Sequence, residues 1–137
     1  MIVIDASAFI AAIMQDEGGI IAQNICESII ESSNVAIVPP LFYYETAQVL
    51  LKSLRRNRID KMEYKKHLKL LLEFPLLVDE DIPIFEIALI AEEYGLSFYD
   101  AAYLESAKRN GYSLATLDKQ LIVAALKANV KLVLNHV

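Results

Sequence analysis

Met1-Ile2-Val3-Ile4-Asp5-Ala6-Ser7 opens the chain with three branched apolar residues in a row, stopped by a carboxylate. A run with no alternating polar face belongs to a strand buried on both sides, as in a parallel sheet covered by helices on both faces. The same signature recurs at Val35–Val38, Leu76–Val78, Ser113–Ala115 and Lys131–Leu134. Between these runs the apolar spacing changes to the helical period. Ala8–Met14 and Ile20–Ser32 read as one broken helix pair, Leu41–Arg56 follows the Pro39-Pro40 stop, and a further helix covers Asp60–Glu73. Pro83 suits the first turn of a helix ending at Gly95, Ser97 the cap of one ending near Gly111, and Asp118 the start of the last. Strands alternating with helices predict a three-layer α/β/α sandwich on a parallel sheet of about five strands.

The 137 residues fit one domain, 1–137, without repeats, low-complexity tracts or a Pro/Gly/Ser-rich linker. Hydrophobic residues make up 55% of the chain and the mean hydropathy is +0.37, yet no apolar run approaches the length of a membrane span. The first residues lack the basic region of a secretory signal, so a cytoplasmic protein is expected. Cys26 stands alone in an apolar-periodic stretch, which points to the core rather than to a disulfide or a zinc site. So much apolar surface on a small chain predicts a subunit interface, and hence a homodimer.

In open parallel sheets, ligands bind beyond the carboxyl ends of the strands. Acids stand at those places: Asp5 ends the first strand, Glu45 lies in the first turns of the helix after Pro40, Asp100 in the first turn after Ser97, and Asp118 follows the fourth strand. Each has an ordinary reading as a cap or a first-turn acid. Taken together, beside apolar neighbours, they ask for protonation or a cation. Two carboxylates about 5 Å apart repel by roughly 3 kcal/mol at an effective dielectric near 20. An all-oxygen set without His or Cys selects a hard divalent ion, Mg²⁺ or Mn²⁺, whose natural chemistry is phosphodiester hydrolysis.

Four stretches then resemble the motifs of PIN domains. Ile2-Val3-Ile4-Asp5-Ala6-Ser7 is similar to the first, Pro39 to Leu50 with Glu45 to the second, Leu96-Ser97-Phe98-Tyr99-Asp100-Ala101-Ala102 to the third, and Thr116-Leu117-Asp118 to the fourth. The match covers the whole chain, with Gln48 standing where Asn is common. The resemblance implies a metal-dependent endoribonuclease of the VapC type, the toxin of a VapBC toxin–antitoxin pair, cleaving RNA to 3′-hydroxyl and 5′-phosphate ends. It implies that Asp5, Asp100 and Asp118 ligate Mg²⁺ (or Mn²⁺) directly, and that Glu45 holds the metal or one of its waters. Ser7 and Thr116 would orient the acids by hydrogen bonds. It also implies dimers and a cognate antitoxin that docks across the helices around the second motif, putting a basic side chain into the acidic site.

The net charge of −5 is unusual for a binder of nucleic acid, but its distribution is uneven. Eight of the thirteen Lys and Arg residues lie between Lys52 and Lys69. Within that segment Arg55, Arg56 and Arg58 are the candidates to track an RNA backbone, against a plain solvated hairpin. Among the tyrosines near the acids, Tyr99 is the candidate for stacking on a base; Tyr43, Tyr44 and Tyr103 read as packing. His67 and His136 have no partner at ligand spacing. Two other readings stand beside the nuclease: a phosphotransferase with an aspartyl nucleophile, disfavoured by Ser7 where a second acid is expected, and a catalytically silent binding module of the same fold.

Overall fold

The computed structural model describes residues 1–14, 19–31 and 34–133. In chain order the elements are β1 (Ile2–Ile4), α1 (Ala6–Met14), α2 (Gly19–Ile30), β2 (Ala36–Val38), α3 (Leu41–Arg55), α4 (Lys61–Glu73), β3 (Leu77–Val78), α5 (Ile84–Tyr94), α6 (Phe98–Asn110), β4 (Ser113–Ala115) and α7 (Lys119–Lys127). The strands form one parallel sheet in the order β3-β2-β1-β4. The apolar opening run is therefore the strand flanked by β2 and β4, and Val3 and Ile4 are fully buried.

The expected fifth strand is reduced to a single parallel bridge between Leu132 and Leu114. Two backbone hydrogen bonds frame it, Leu114 N–H to the Lys131 carbonyl and Val133 N–H to the Leu114 carbonyl. One bridged residue is too short to count as a strand, so the sheet has four strands rather than five among the described residues. Leu134 and His136 lie outside the described residues, as does Ser32 at the end of the second expected helix.

Helix boundaries follow local chemistry. Asp60 and Glu63 form a reciprocal capping box that starts α4. The Ser97 hydroxyl accepts the Asp100 N–H at the start of α6, and Asp118 accepts the Leu121 N–H at the start of α7. α5 and α6 end on Gly95 and Gly111, both in the left-handed region that favours glycine. α1 begins two residues earlier than its apolar pattern suggests, because the Asp5 carboxylate takes the Ala8 N–H and caps it.

The core joins Phe9, Phe42, Leu104, Leu114 and Leu121 around the sheet. Phe9 meets Phe42 and Phe74 edge-on at 5.5 and 5.2 Å. Cys26 is buried, and burial pushes its thiol up to about 11, which leaves it unreactive at neutral pH. No helix among the described residues is long and apolar enough to cross a membrane.

The edge strand β3 is only two residues long and exposed. A charged latch after it compensates. Arg109 on α6 binds Asp79 and Glu105, both buried, and reaches Asp81 at 3.4 Å. Ser106 donates to Asp79 at 2.7 Å. Burial alone would raise Asp79, but the Ser106 hydroxyl and the Arg109 guanidinium outweigh it and hold this carboxyl below its ordinary 3.8. Its contribution is therefore present above that value and lost as pH falls below it. Arg109→Ala would leave two buried carboxylates without a counter-charge. We expect a loss of about 3 kcal/mol in urea denaturation at pH 7, shrinking below pH 4 as Asp79 is protonated; an unchanged urea midpoint would reduce the latch to a surface contact.

Candidate active site

Four elements converge on one cleft of about 570 Å³ at the carboxyl ends of the strands, and Asp5, Glu45, Asp100 and Asp118 all line it. The spacing of the sequence motifs permitted this convergence, and the sheet order produces it. β1 and β4 are neighbours, so Asp5 and Asp118 leave the sheet side by side. α3, reached from β2, and α6, which packs against β1, supply Glu45 and Asp100.

Asp5 is held more tightly than its neighbours. It is 4% exposed and accepts three hydrogen bonds: Ser7 Oγ and Ala8 N–H to Oδ1 at 2.7 and 3.0 Å, and Thr116 Oγ1 to Oδ2. The two hydroxyls are oriented in turn. Ser7 Oγ accepts the Leu117 N–H and Thr116 Oγ1 accepts the Asp118 N–H, each at 3.0 Å, so their protons point to the carboxylate. Both hydroxyls donate to the Asp5 carboxylate, and both residues also brace the turn that carries Asp118.

Burial pushes the Asp5 carboxyl up to about 6, against the pull of the Thr116, Ala8 and Ser7 hydrogen bonds; the charge on Asp100 adds to the rise. Asp100 is raised by burial and then by the charge on Asp118, with the Ser97 contact opposing. Glu45 is raised by burial, with Tyr103 opposing and Asp100 adding. Three carboxylates in one cleft are thus unfavourable as anions for the same two reasons, lost solvent and each other.

Tyr103 changes its role on meeting the structure. Its ring is buried, as packing predicted, but its hydroxyl donates to Glu45 Oε1 at 2.6 Å. Burial and the bond to Glu45 both raise its phenol, so it stays a donor. The clue in the sequence is its place three residues after Asp100, on the same face of α6. Gln48 and Lys52 also line the cleft, at positions 3 and 7 after Glu45 on α3.

The structure does not bring the remaining candidates into the cleft. Arg55 and Arg56 end α3, and Arg58 lies in the turn before α4; all three are exposed. Tyr99 is 61% exposed and faces a separate apolar cavity beside Pro40 and Ile82. His67 is buried on α4, with no hydrogen-bond partner for its Nδ1. Among the described residues, no three acidic, histidine or cysteine side chains stand close enough together to hold a metal ion as they are placed.

Comparison with known proteins agrees with this geometry. The PIN domain family profile matches residues 2–127. Exonuclease VapC9 of Pyrobaculum aerophilum is 40% identical over 83 residues, which are 60% of this chain and 61% of that protein. The match thus spans less than two thirds of VapC9. Ribonuclease VapC3 of the same organism is 32% identical over 123 residues, 88% of this chain and 91% of the relative. The crystal structure of PAE2754 from Pyrobaculum aerophilum superposes with a TM-score of 0.71 at 31% identity, covering 90% of this chain and 78% of that one. The order and placement of the four acid-bearing junctions and a match running over nearly the whole chain have one common account: the chain belongs to the PIN domain family.

Proposed function

We propose that the protein is a metal-dependent endoribonuclease of the VapC toxin type, with Asp5, Glu45, Asp100 and Asp118 as its catalytic acids. The observation that carries this reading is the Asp5 carboxylate, buried beside three other acids and already ordered by Ser7 and Thr116. A protein does not hold such a charge away from water without a partner for it.

The donor set fits Mg²⁺ or Mn²⁺. It is all oxygen, the donor type of an ion that keeps several waters and takes only a few carboxylates. Asp5, Asp100 and Asp118 would hold it, with Glu45 holding it or one of its waters. When bound, such an ion makes water a nucleophile at neutral pH and offsets charge growing on the scissile phosphate. The chain's own residues do the rest. Tyr103 fixes the Glu45 carboxylate by donating to one oxygen and leaving the other free towards the cleft. Ser7 and Thr116 keep both Asp5 oxygens at fixed positions.

RNA is the proposed substrate and an antitoxin the proposed partner. An apolar groove of about 520 Å³ between α3 and α4, lined by Tyr44, Leu51, Leu68 and Leu72, adjoins the acidic cleft, and Gln48 lines both. A segment lying in that groove would carry a basic side chain into the cleft. A second exposed apolar face, with Ile82, Ile84, Phe85 and Leu89 all at least half exposed, supports pairing with another copy. Light scattering at micromolar concentration should return the mass of a homodimer; a monomer mass would refute that pairing.

The central test is cleavage of mixed-sequence linear and circular RNA in Mg²⁺, Mn²⁺ or EDTA. Wild type should cut both forms only with metal, and Asp100→Asn should lose at least 100-fold, as for removal of a group that acts in the transition state. Cutting of the linear form alone would replace the endonuclease by an exonuclease. No cleavage by folded, metal-loaded protein free of any partner would sink the nuclease reading.

Asp5 also predicts a pH dependence of stability. Its folded pKa of about 6 lies above the ordinary 3.8, so the folded state keeps a proton that the unfolded chain releases. The stability this gives is complete below about pH 4 and is lost as pH rises through 6, about 3 kcal/mol in all. His67 acts in the opposite sense, because burial, then the charge on Lys66, lower its imidazole below the usual 6.5. In EDTA, wild type minus Asp5→Asn isolates the Asp5 slope, and Mg²⁺ should reverse it in wild type alone. A difference flat from pH 4 to 7 would contradict the buried-acid account.

A further inference from the structure

We propose that Lys52 binds the phosphodiester backbone of the RNA next to the cleaved bond, and that the strand then leaves the cleft along α3 past Arg56. This deepens the nuclease reading and rests on it. Glu45, Gln48, Val49 and Lys52 follow one another at offsets 3, 4 and 7, so they form a single stripe down one face of α3, and all four line the cleft. Lys52 is the one cation among the described residues that does so.

Its charge is not consumed by the acids it shares the cleft with. The ion pairs within 4 Å among the described residues all run to Arg109, on the far face of α6, and none involves Lys52. Seven residues put the Lys52 backbone about 10.5 Å along the axis from that of Glu45, two turns away from the acid-bearing end of the stripe. Lys52 stands where a phosphate flanking the scissile one would pass, and an ammonium is a point-charge binder of phosphate.

The same stripe points on to Arg56, which lies four residues beyond Lys52 and is exposed at the C-cap of α3. The acidic cleft of an acidic protein thus acquires a basic exit, which gives the RNA a direction.

The experiment compares wild type, Lys52→Gln, Lys52→Arg, Arg56→Gln and a remote control, Lys127→Gln. Anisotropy of a fluorescent single-stranded RNA is read in EDTA across a salt series, with kcat/KM in Mg²⁺ and Mn²⁺ binding by calorimetry alongside. Lys52→Gln should weaken RNA binding about fivefold and flatten the salt slope by about one. Mn²⁺ affinity should hold, Lys52→Arg should restore most binding, and Arg56→Gln should show a smaller loss of the same kind. Wild-type affinity and salt slope in Lys52→Gln would overturn the proposal, as would a clear gain in Mn²⁺ affinity, which would place the Lys52 ammonium among the acids. Failure of wild type to cleave RNA would instead count against the nuclease reading, while the anisotropy series would still decide Lys52.

Discussion

The buried carboxylate of Asp5 is the constraint around which this protein is arranged. Its oxygens take two hydroxyls and a backbone N–H from two places far apart in the chain: the first turn of α1, which supplies Ser7 and the Ala8 N–H, and Thr116, the residue after β4. One side chain therefore caps a helix, ties β1 to the turn after β4, and carries a charge that the surroundings make costly. An ordinary cap would sit at the surface, where the same hydrogen bonds form without desolvation. Placing it at the sheet's carboxyl end, next to Asp118 and near Asp100, exchanges stability for a strong local demand for a cation.

α6 is the second element on which the cleft depends. Its first turn supplies Asp100, its second supplies Tyr103 to hold Glu45, and its last anchors Arg109 to the residues after β3. The helix is wedged between the acidic cleft on one face and the charged latch on the other. Buried ion pairs add little net stability, but they fix geometry, because any shift leaves a buried charge unpaired. The latch thus anchors the helix that carries Asp100 and Tyr103 without touching the cleft.

The overall charge of −5 hides an ordered distribution. Negative charge is concentrated at the sheet's carboxyl end, where a divalent ion can neutralise it, and positive charge along the end of α3 and on α4. A polyanion approaching the cleft would be repelled by the bare acids and attracted by the helix leading away from them. Under the proposed function, metal loading and RNA binding would be electrostatically coupled: the ion would offset the repulsion between the acids and the phosphates, and the phosphates would add negative charge that attracts the ion.

Much of this was legible in the residues alone. Unbroken apolar runs specify the parallel strands, buried at β1 although β3 at the sheet edge is exposed, and Ser97, Gly95, Gly111 and Asp118 mark helix ends by local hydrogen bonding and backbone freedom, which depend on near neighbours only. The four acids could be picked out because each follows such a junction. What the sequence could not supply is which side chains share a direction in space. Among the described residues the expected fifth strand shows only the Leu114–Leu132 bridge, a pairing between residues far apart in the chain. Tyr103 proves to be a hydrogen-bond donor to Glu45, 58 positions away, and of eight clustered cations Lys52 alone reaches the cleft. Those facts follow from the sheet order and the packing of α3 and α6, that is, from contacts between residues far apart in the chain, which no local pattern encodes.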